Sequence, residues 1–224
     1  MVRLAIFDMA GTTVADNNNV AEAFQKAFYA NGIGKSLGDA NPLMGYHKPL
    51  AIQMLLEQLG QEPDAAIIEK IHDDFQDQML DFYEYDAAVR PVNGAEDVFE
   101  KLKEQGIRIA LNTGFSRTIA DTIIHRFQWK EKGLIDYVIG SDEVEKGRPY
   151  PYMIRQLMKT AGIQDAKEVM KVGDTTVDIE EGKNAGCQYV IAVTTGAAHT
   201  DELRAMNPTH IISHLSEITH ILQQ

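Results

Sequence analysis

Short apolar runs recur along the chain at Leu4–Phe7, Arg108–Leu111, Tyr137–Gly140, Val169–Val172, Tyr189–Val193 and His210–Ile212. Most are rich in Val and Ile and lack clean alternation of apolar and polar positions, the pattern of strands covered on both faces. Segments with a helical period separate them: Gly94–Gln105, Arg117–Phe127, Tyr152–Ala161, Asp178–Ala185 and Asp201–Ala205. Strand–helix alternation with crossovers of this length predicts an α/β fold built on a doubly wound parallel sheet. One interval breaks the rhythm. From Thr13 to Val89 no strand pattern occurs, and helical periods at Val20–Asn31, Pro49–Leu59 and Asp64–Tyr85 fill the gap, punctuated by Gly32, Gly34, Gly38 and Gly60. This predicts a helical cap domain over residues 16–87, inserted into a core domain of residues 1–15 and 88–224, with connections near Val14–Asn19 and Ala87–Val92. A cap in that place hangs over the tip of the first strand, where a lid excludes water on closing.

Composition narrows the functional classes. Acidic residues outnumber basic ones 33 to 21 in a chain of 224 residues, for a net charge of -12. That balance argues against nucleic acid or a membrane surface as a partner, since both require a basic patch. The single cysteine, Cys187, precludes an internal disulfide and fits a reducing compartment. No apolar run reaches the length of a membrane span, and the first residues read as strand rather than leader. The expectation is a soluble, cytoplasmic, globular protein.

The polar residues at the ends of the strands carry the candidate chemistry. Asp8-Met9-Ala10-Gly11-Thr12 follows the first strand, and Gly173-Asp174-Thr175-Thr176-Val177-Asp178 follows the fourth. Open α/β sheets bind ligands at such C-terminal strand tips. Carboxylates brought there from two strands form one anionic pocket for a hard cation such as Mg²⁺. Asp8 is also a candidate carboxylate nucleophile able to carry an aspartyl-phosphate. An anionic nucleophile approaching a phosphoryl group needs cationic screening. Arg148, in Gly147-Arg148-Pro149-Tyr150-Pro151, offers it, with Lys146 as the competitor. The Leu111-Asn112-Thr113-Gly114 segment places a hydroxyl and backbone N–H groups at another strand tip, where they can grip a phosphate oxygen. Ordinary turn and cap chemistry explains each of these motifs singly; their combination at strand tips points to phosphoryl transfer.

The order and spacing of the four segments resemble the haloacid dehalogenase superfamily over nearly the whole chain. The resemblance implies a Rossmann-like core and a helical cap after the first strand. It further implies Asp8 as nucleophile, Thr113 as phosphoryl clamp, Arg148 as the basic residue, and Mg²⁺ held by Asp8, the carbonyl of Ala10 and Asp174, with Asp178 direct or through water. Most phosphatases of that superfamily carry a second aspartate two residues after the nucleophile, which protonates the leaving alkoxide; here it is Ala10. The Asp-Xaa-Ala-Gly-Thr variant and the arginine of Gly-Arg-Pro-Tyr-Pro resemble the phosphonatase-like family, also called phosphonoacetaldehyde hydrolase-like. In that family a cap lysine forms a Schiff base with the substrate aldehyde, and the iminium receives the electrons of the broken carbon–phosphorus bond. Met44-Gly45-Tyr46-His47-Lys48 is similar to the family's lysine segment, which implies the Schiff-base role for Lys48.

Substrate contacts are expected from Ala10, Thr12, Met44, Gly45, His47, Gly114 and Phe115 around a small phosphorylated or phosphonate substrate. Three positions depart from the family. Its histidine three residues after the lysine is Ala51 here, its linker cysteine is Asn18, and the tyrosine after Thr-Gly is Phe115. Two other readings therefore stand beside carbon–phosphorus cleavage: a phosphomonoester phosphatase that tolerates Ala10, and a phosphate-binding module with little turnover. The resemblance also allows a homodimer through the first cap helix. The remaining histidines show no paired metal spacing, and Cys187 reads as a small buried filler.

Overall fold

The computed structural model describes residues 1–33 and 43–223; Gly34 and Gly38 lie outside the described residues. Six strands, β1 (Leu4–Phe7), β2 (Arg108–Thr113), β3 (Tyr137–Gly140), β4 (Val169–Gly173), β5 (Tyr189–Val193) and β6 (His210–Ile212), form one parallel sheet in the order β3-β2-β1-β4-β5-β6. β1 lies centrally, with Ile6 opposite Ala110 on one side and Lys171 on the other. Its alternate residues enter different cores: Ala5 and Phe7 face one layer, Leu4 and Ile6 the other. Burial on both faces explains why the strands read as apolar runs without alternation.

Six helices flank the sheet: α4 (Ala95–Glu104), α5 (Arg117–Phe127), α6 (Tyr152–Thr160), α7 (Thr176–Ala185), α8 (Thr200–Ala205) and the short α9 (Ile218–Ile221). Three more, α1 (Asn19–Ala30), α2 (Lys48–Gln58) and α3 (Ala65–Tyr85), occupy the interval between β1 and α4. The predicted segments agree with these spans to within two residues. The largest strand difference is β2, which runs on to Thr113, and the one helix left out is α9, whose four residues carry too little period to be read. β2 is longer because Asn112 and Thr113 still pair with Ile139 and Gly140 of β3 despite their polarity. Among the described residues no helix is long and apolar enough to cross a membrane.

The two chain connections to the three-helix segment run side by side. Val14 bridges Pro91 in antiparallel fashion, Ala15 N–H donates to the Arg90 carbonyl at 3.0 Å, and Val92 N–H donates to the Thr13 carbonyl at 2.9 Å. The segment then packs back over the strand tips. Phe24 stacks on Phe75 at 4.3 Å, and Phe115, just beyond β2, meets Phe75 and Tyr83 at 6.3 and 5.8 Å between ring centroids. The backbones also approach closely at Gly114, where a Cβ would stand 2.5 Å from the Tyr46 carbonyl oxygen and 2.9 Å from that of Gly45. Gly114→Ala should therefore push the Gly45–Tyr46 backbone away and destabilise the fold by about 1–3 kcal/mol. Thermal melting checks this; an unchanged midpoint contradicts the close backbone contact.

Candidate active site

From β1 the chain winds outward through β2 to β3, and from β4 outward through β5 to β6. The tips of β1 and β4 thus flank the switch point where the crossovers part, the place where doubly wound sheets leave a crevice. Asp8 follows β1 there, Asp174 follows β4, Thr113 ends β2, and Lys48 opens α2 from above.

Among the described residues seven charged side chains are fully buried: Asp8, Lys48, Arg148, Lys171, Asp174, Asp178 and Glu181. Most of them meet in one network beneath the crevice. Arg148 is its hub. Its Nη1 donates to Asp8 Oδ1 at 2.7 Å and ion-pairs with Asp178 Oδ1 at 3.1 Å. Its Nε donates to Glu181 Oε2 at 3.1 Å, and its Nη2 donates to the carbonyl and Oδ1 of Asn112, both at 2.8 Å. Lys171, alone among the apolar residues of β4, reaches Asn112 Oδ1 at 2.6 Å and Asp178 Oδ1 at 2.8 Å. Asn112 Nδ2 donates in turn to Glu181 Oε2 at 2.9 Å.

These contacts set different protonation behaviour for the three aspartates. Burial opposes ionisation of Asp178, but Arg148 and Lys171 outweigh it and hold this carboxyl below the usual range. Asp8 is raised, because its burial exceeds the benefit of Arg148 and Asp178 adds a like charge. Asp174 is driven well above the ordinary value by burial and then by the charges of Asp8 and Asp178. Its two oxygens take only neutral donors, Thr12 Oγ1 at 2.9 Å and Ala197 N–H at 2.8 Å. Gly196 packs so closely on this carboxylate that any Cβ would collide with it.

Four buried carboxylates therefore face three buried cations, and the carboxylate with no cationic partner among the described residues is Asp174. One carboxylate oxygen from each of Asp8, Asp174 and Asp178 lies within 4.8 Å of the others. An all-oxygen set with an excess of negative charge is what a hard divalent cation requires. The residues present fit such an ion.

Lys48 is 2% exposed despite its charge. Its Nζ donates to the Met44 carbonyl at 2.5 Å and stands 5.0 and 5.6 Å from the Phe115 and Phe24 ring centroids. Burial lowers its pKa from 10.5 to about 8, with the Asp8, Asp16 and Asp174 charges working the other way. A neutral, nucleophilic amine is thus accessible near physiological pH.

The cavity between these groups is about 20 Å³, room for about one or two water molecules. Asp8, Ala10, Met44, Gly45, Lys48, Thr113, Gly114, Phe115 and Asp174 line it, as does Asp16. Thr113 Oγ1 accepts the Phe115 N–H at 3.2 Å, which leaves its own proton to donate. The structure places Thr12, His47, Arg148 and Asp178 behind the lining. Thr12 holds Asp174, Arg148 holds Asp8, Asp178 takes the Thr175 N–H and hydroxyl, and His47 precedes α2 beside Gly147. Lys146 is exposed and lies over the Tyr150 ring, so Arg148 supplies the buried cation. Lys171 and Glu181 were not among the expected site residues. The signals available were a lone lysine inside an apolar strand and an acid three residues after Asp178 on the same helix face.

The sequence model of the family described as haloacid dehalogenase-like hydrolase matches residues 5–192. The phosphonoacetaldehyde hydrolase of Bacillus thuringiensis (strain Al Hakam) is 30% identical over 213 residues, spanning 88% of this chain and 77% of that protein. Among solved structures, a phosphonoacetaldehyde hydrolase-like protein from Oleispira antarctica aligns with a TM-score of 0.84 at 23% identity, covering 99% of this chain and 91% of that one. A protein described as a predicted phosphoglycolate phosphatase, from Haemophilus somnus 129pt, aligns with a TM-score of 0.81 at 19% identity over 99% and 98% of the two chains.

Removing one member of a buried charge network costs about 3–5 kcal/mol. Lys171→Met should lose that much stability in urea titrations without metal, and the further change Glu181→Gln should recover part of it. A loss below about 1 kcal/mol, the range of surface ion pairs, contradicts the network. Reductive alkylation of Lys48 by a small aldehyde should rise with pH around a midpoint of about 8. Peptide mass spectrometry reads this, and a midpoint at the ordinary lysine value of about 10.4 contradicts it.

Proposed function

The chain belongs to the haloacid dehalogenase-like hydrolases, in their phosphonatase-like branch, and on that premise we propose that it cleaves a carbon–phosphorus bond. The substrate class is a small phosphonate bearing an aldehyde. The observation that carries this reading is Lys48, a buried amine that lines the same cavity as Asp8 and has its pKa lowered to about 8. Ala10 supports it, because no acid stands two residues after the nucleophile to protonate an alkoxide. A positioned proton donor contributes about 10²–10⁴ in rate, so the reaction catalysed should be one that does not use a donor there.

Lys48 Nζ adds to the aldehyde carbon and, with loss of water, forms an iminium. Asp8 then attacks phosphorus. Arg148 holds Oδ1 of Asp8, and among the described residues no hydrogen bond engages Oδ2. As the carbon–phosphorus bond breaks, its electron pair moves into the iminium and yields an enamine on Lys48. The Thr113 hydroxyl donates a hydrogen bond to a phosphoryl oxygen. Water cleaves the aspartyl-phosphate to release orthophosphate; protonation of the enamine carbon and hydrolysis free the aldehyde and Lys48. Asp8, the Ala10 carbonyl and Asp174, with Asp178 direct or through water, would hold Mg²⁺, which would supply charge neutralisation for the phosphoryl transfer. The helical segment over residues 16–87 serves as a lid, and a cavity this small requires that lid to open before a substrate is admitted.

Borohydride added during turnover of phosphonoacetaldehyde should trap a reduced adduct on Lys48 of the Mg²⁺-loaded protein. Lys48→Ala should reduce orthophosphate release from that substrate to background, and Asp8→Asn should do the same. The absence of any adduct, with Lys48→Ala still hydrolysing activated aryl phosphates and Asp8→Asn inactive, would favour a phosphomonoester phosphatase instead.

A further inference from the structure

The inference that follows rests on the imine chemistry proposed for Lys48. Among the described residues the ionisable side chains lining the cavity are Asp8, Asp16, Lys48 and Asp174. Asp8 is bound by Arg148 and is the phosphoryl acceptor, and Asp174 belongs to the cation-binding cluster. Asp16 is the one carboxyl left over. It is half-buried on the first connection to the three-helix segment. Its Oδ1 accepts the Asn19 N–H at 2.8 Å and the Val20 N–H at 3.4 Å, at the start of α1. Among the described residues no hydrogen bond engages its Oδ2. The groups that interact electrostatically with it are Lys48, Glu22 and Tyr83.

Imine formation and hydrolysis both need a proton carrier beside the amine. His47, adjacent to Lys48 in sequence, lies outside the cavity lining. Ala51, one turn further along α2, carries no proton. We propose that Asp16 is the proton-transfer residue for imine formation and hydrolysis at Lys48. Burial raises its pKa, against the Asn19 and Val20 N–H groups and the Lys48 charge, so its protonated form is more available than in an exposed aspartate.

The neutral Lys48 amine bonds to the aldehyde carbon, and its surplus proton passes to the carbonyl oxygen. Asp16 gives its proton to the resulting hydroxyl. The C–O bond breaks, water leaves, and the nitrogen lone pair completes the C=N bond. Asp16 is then a carboxylate beside an iminium cation, which it stabilises. In the closing half, the same carboxylate takes a proton from the water that adds to the iminium carbon; the hydroxyl proton of the resulting carbinolamine passes to nitrogen, the C–N bond breaks, and the aldehyde departs, leaving Lys48 as the neutral amine and Asp16 protonated.

Asp16→Asn separates this role from helix capping, because asparagine keeps the acceptor oxygen for Asn19 and Val20 but cannot transfer the proton. The probe is phosphonoacetaldehyde with the Mg²⁺-loaded full chain, quenched with borohydride at successive times, and the readout is the Lys48 adduct by peptide mass spectrometry. The variant should melt with the wild type and form the adduct about 10²-fold or more slowly. Asp16→Ala should regain rate in proportion to added acetate, which restores a proton carrier but not a cap, and Asp16→Ser covers the case of an unstable asparagine variant. A wild-type adduct rate in Asp16→Asn, or no acetate response in Asp16→Ala, overturns the assignment while leaving Lys48 in place. No adduct in the wild type overturns both readings together.

Discussion

The structure depends on satisfying buried charge at the tips of β1 and β4. Taking ions out of water costs several kcal/mol each unless they are paired and hydrogen-bonded. Here Arg148 and Lys171 are shared among Asp8, Asp178 and Glu181, with Asn112 bridging the two cations to Glu181. The guanidinium suits the hub position because its fork serves several acceptors in fixed directions. What the network leaves over is one carboxylate, Asp174, walled by glycines and held by neutral donors. That excess of negative charge suits the cluster of Asp8, Asp174 and Asp178 to a hard cation.

A second constraint acts from above. Ala10 leaves the position two residues after Asp8 without a proton donor, while Lys48 enters the same cavity from α2 between two phenyl rings. Burial that would be a liability for an ordinary lysine becomes useful when the amine must act as a nucleophile. The aromatic faces keep a partial welcome for the cationic form, as the proposed iminium chemistry requires. Core and helical segment thus line one cavity together, and in the proposed reaction the first captures the phosphoryl group while the second handles the carbonyl.

The fold was largely legible from apolar periodicity, because the strands are short, parallel and buried on both faces, and because the interval from Thr13 to Val89 lacks any strand pattern. The end of β2 was not: Asn112 and Thr113 are polar, yet they pair with β3. The residues expected at the strand tips do converge: Asp8 and Asp174 follow β1 and β4 at the switch point, Thr113 ends the adjacent β2, and all three line one cavity. The support beneath them was less visible. Lys171 hid inside an apolar run, and Glu181 was not singled out, because its partner Asn112 lies 69 residues away in the chain. Asp16 was not singled out in the sequence; only the folded connection brings it to Lys48's cavity.

The central claim is that one site couples phosphoryl capture by Asp8 to electron withdrawal through Lys48. A phosphorus NMR time course on phosphonoacetaldehyde with the Mg²⁺-loaded protein tests it most directly. The account predicts loss of the phosphonate resonance with matching growth of orthophosphate, and acetaldehyde appearing in equal amount. A phosphonate signal that persists unchanged, from a preparation that still hydrolyses an aryl phosphate through Asp8, would contradict it.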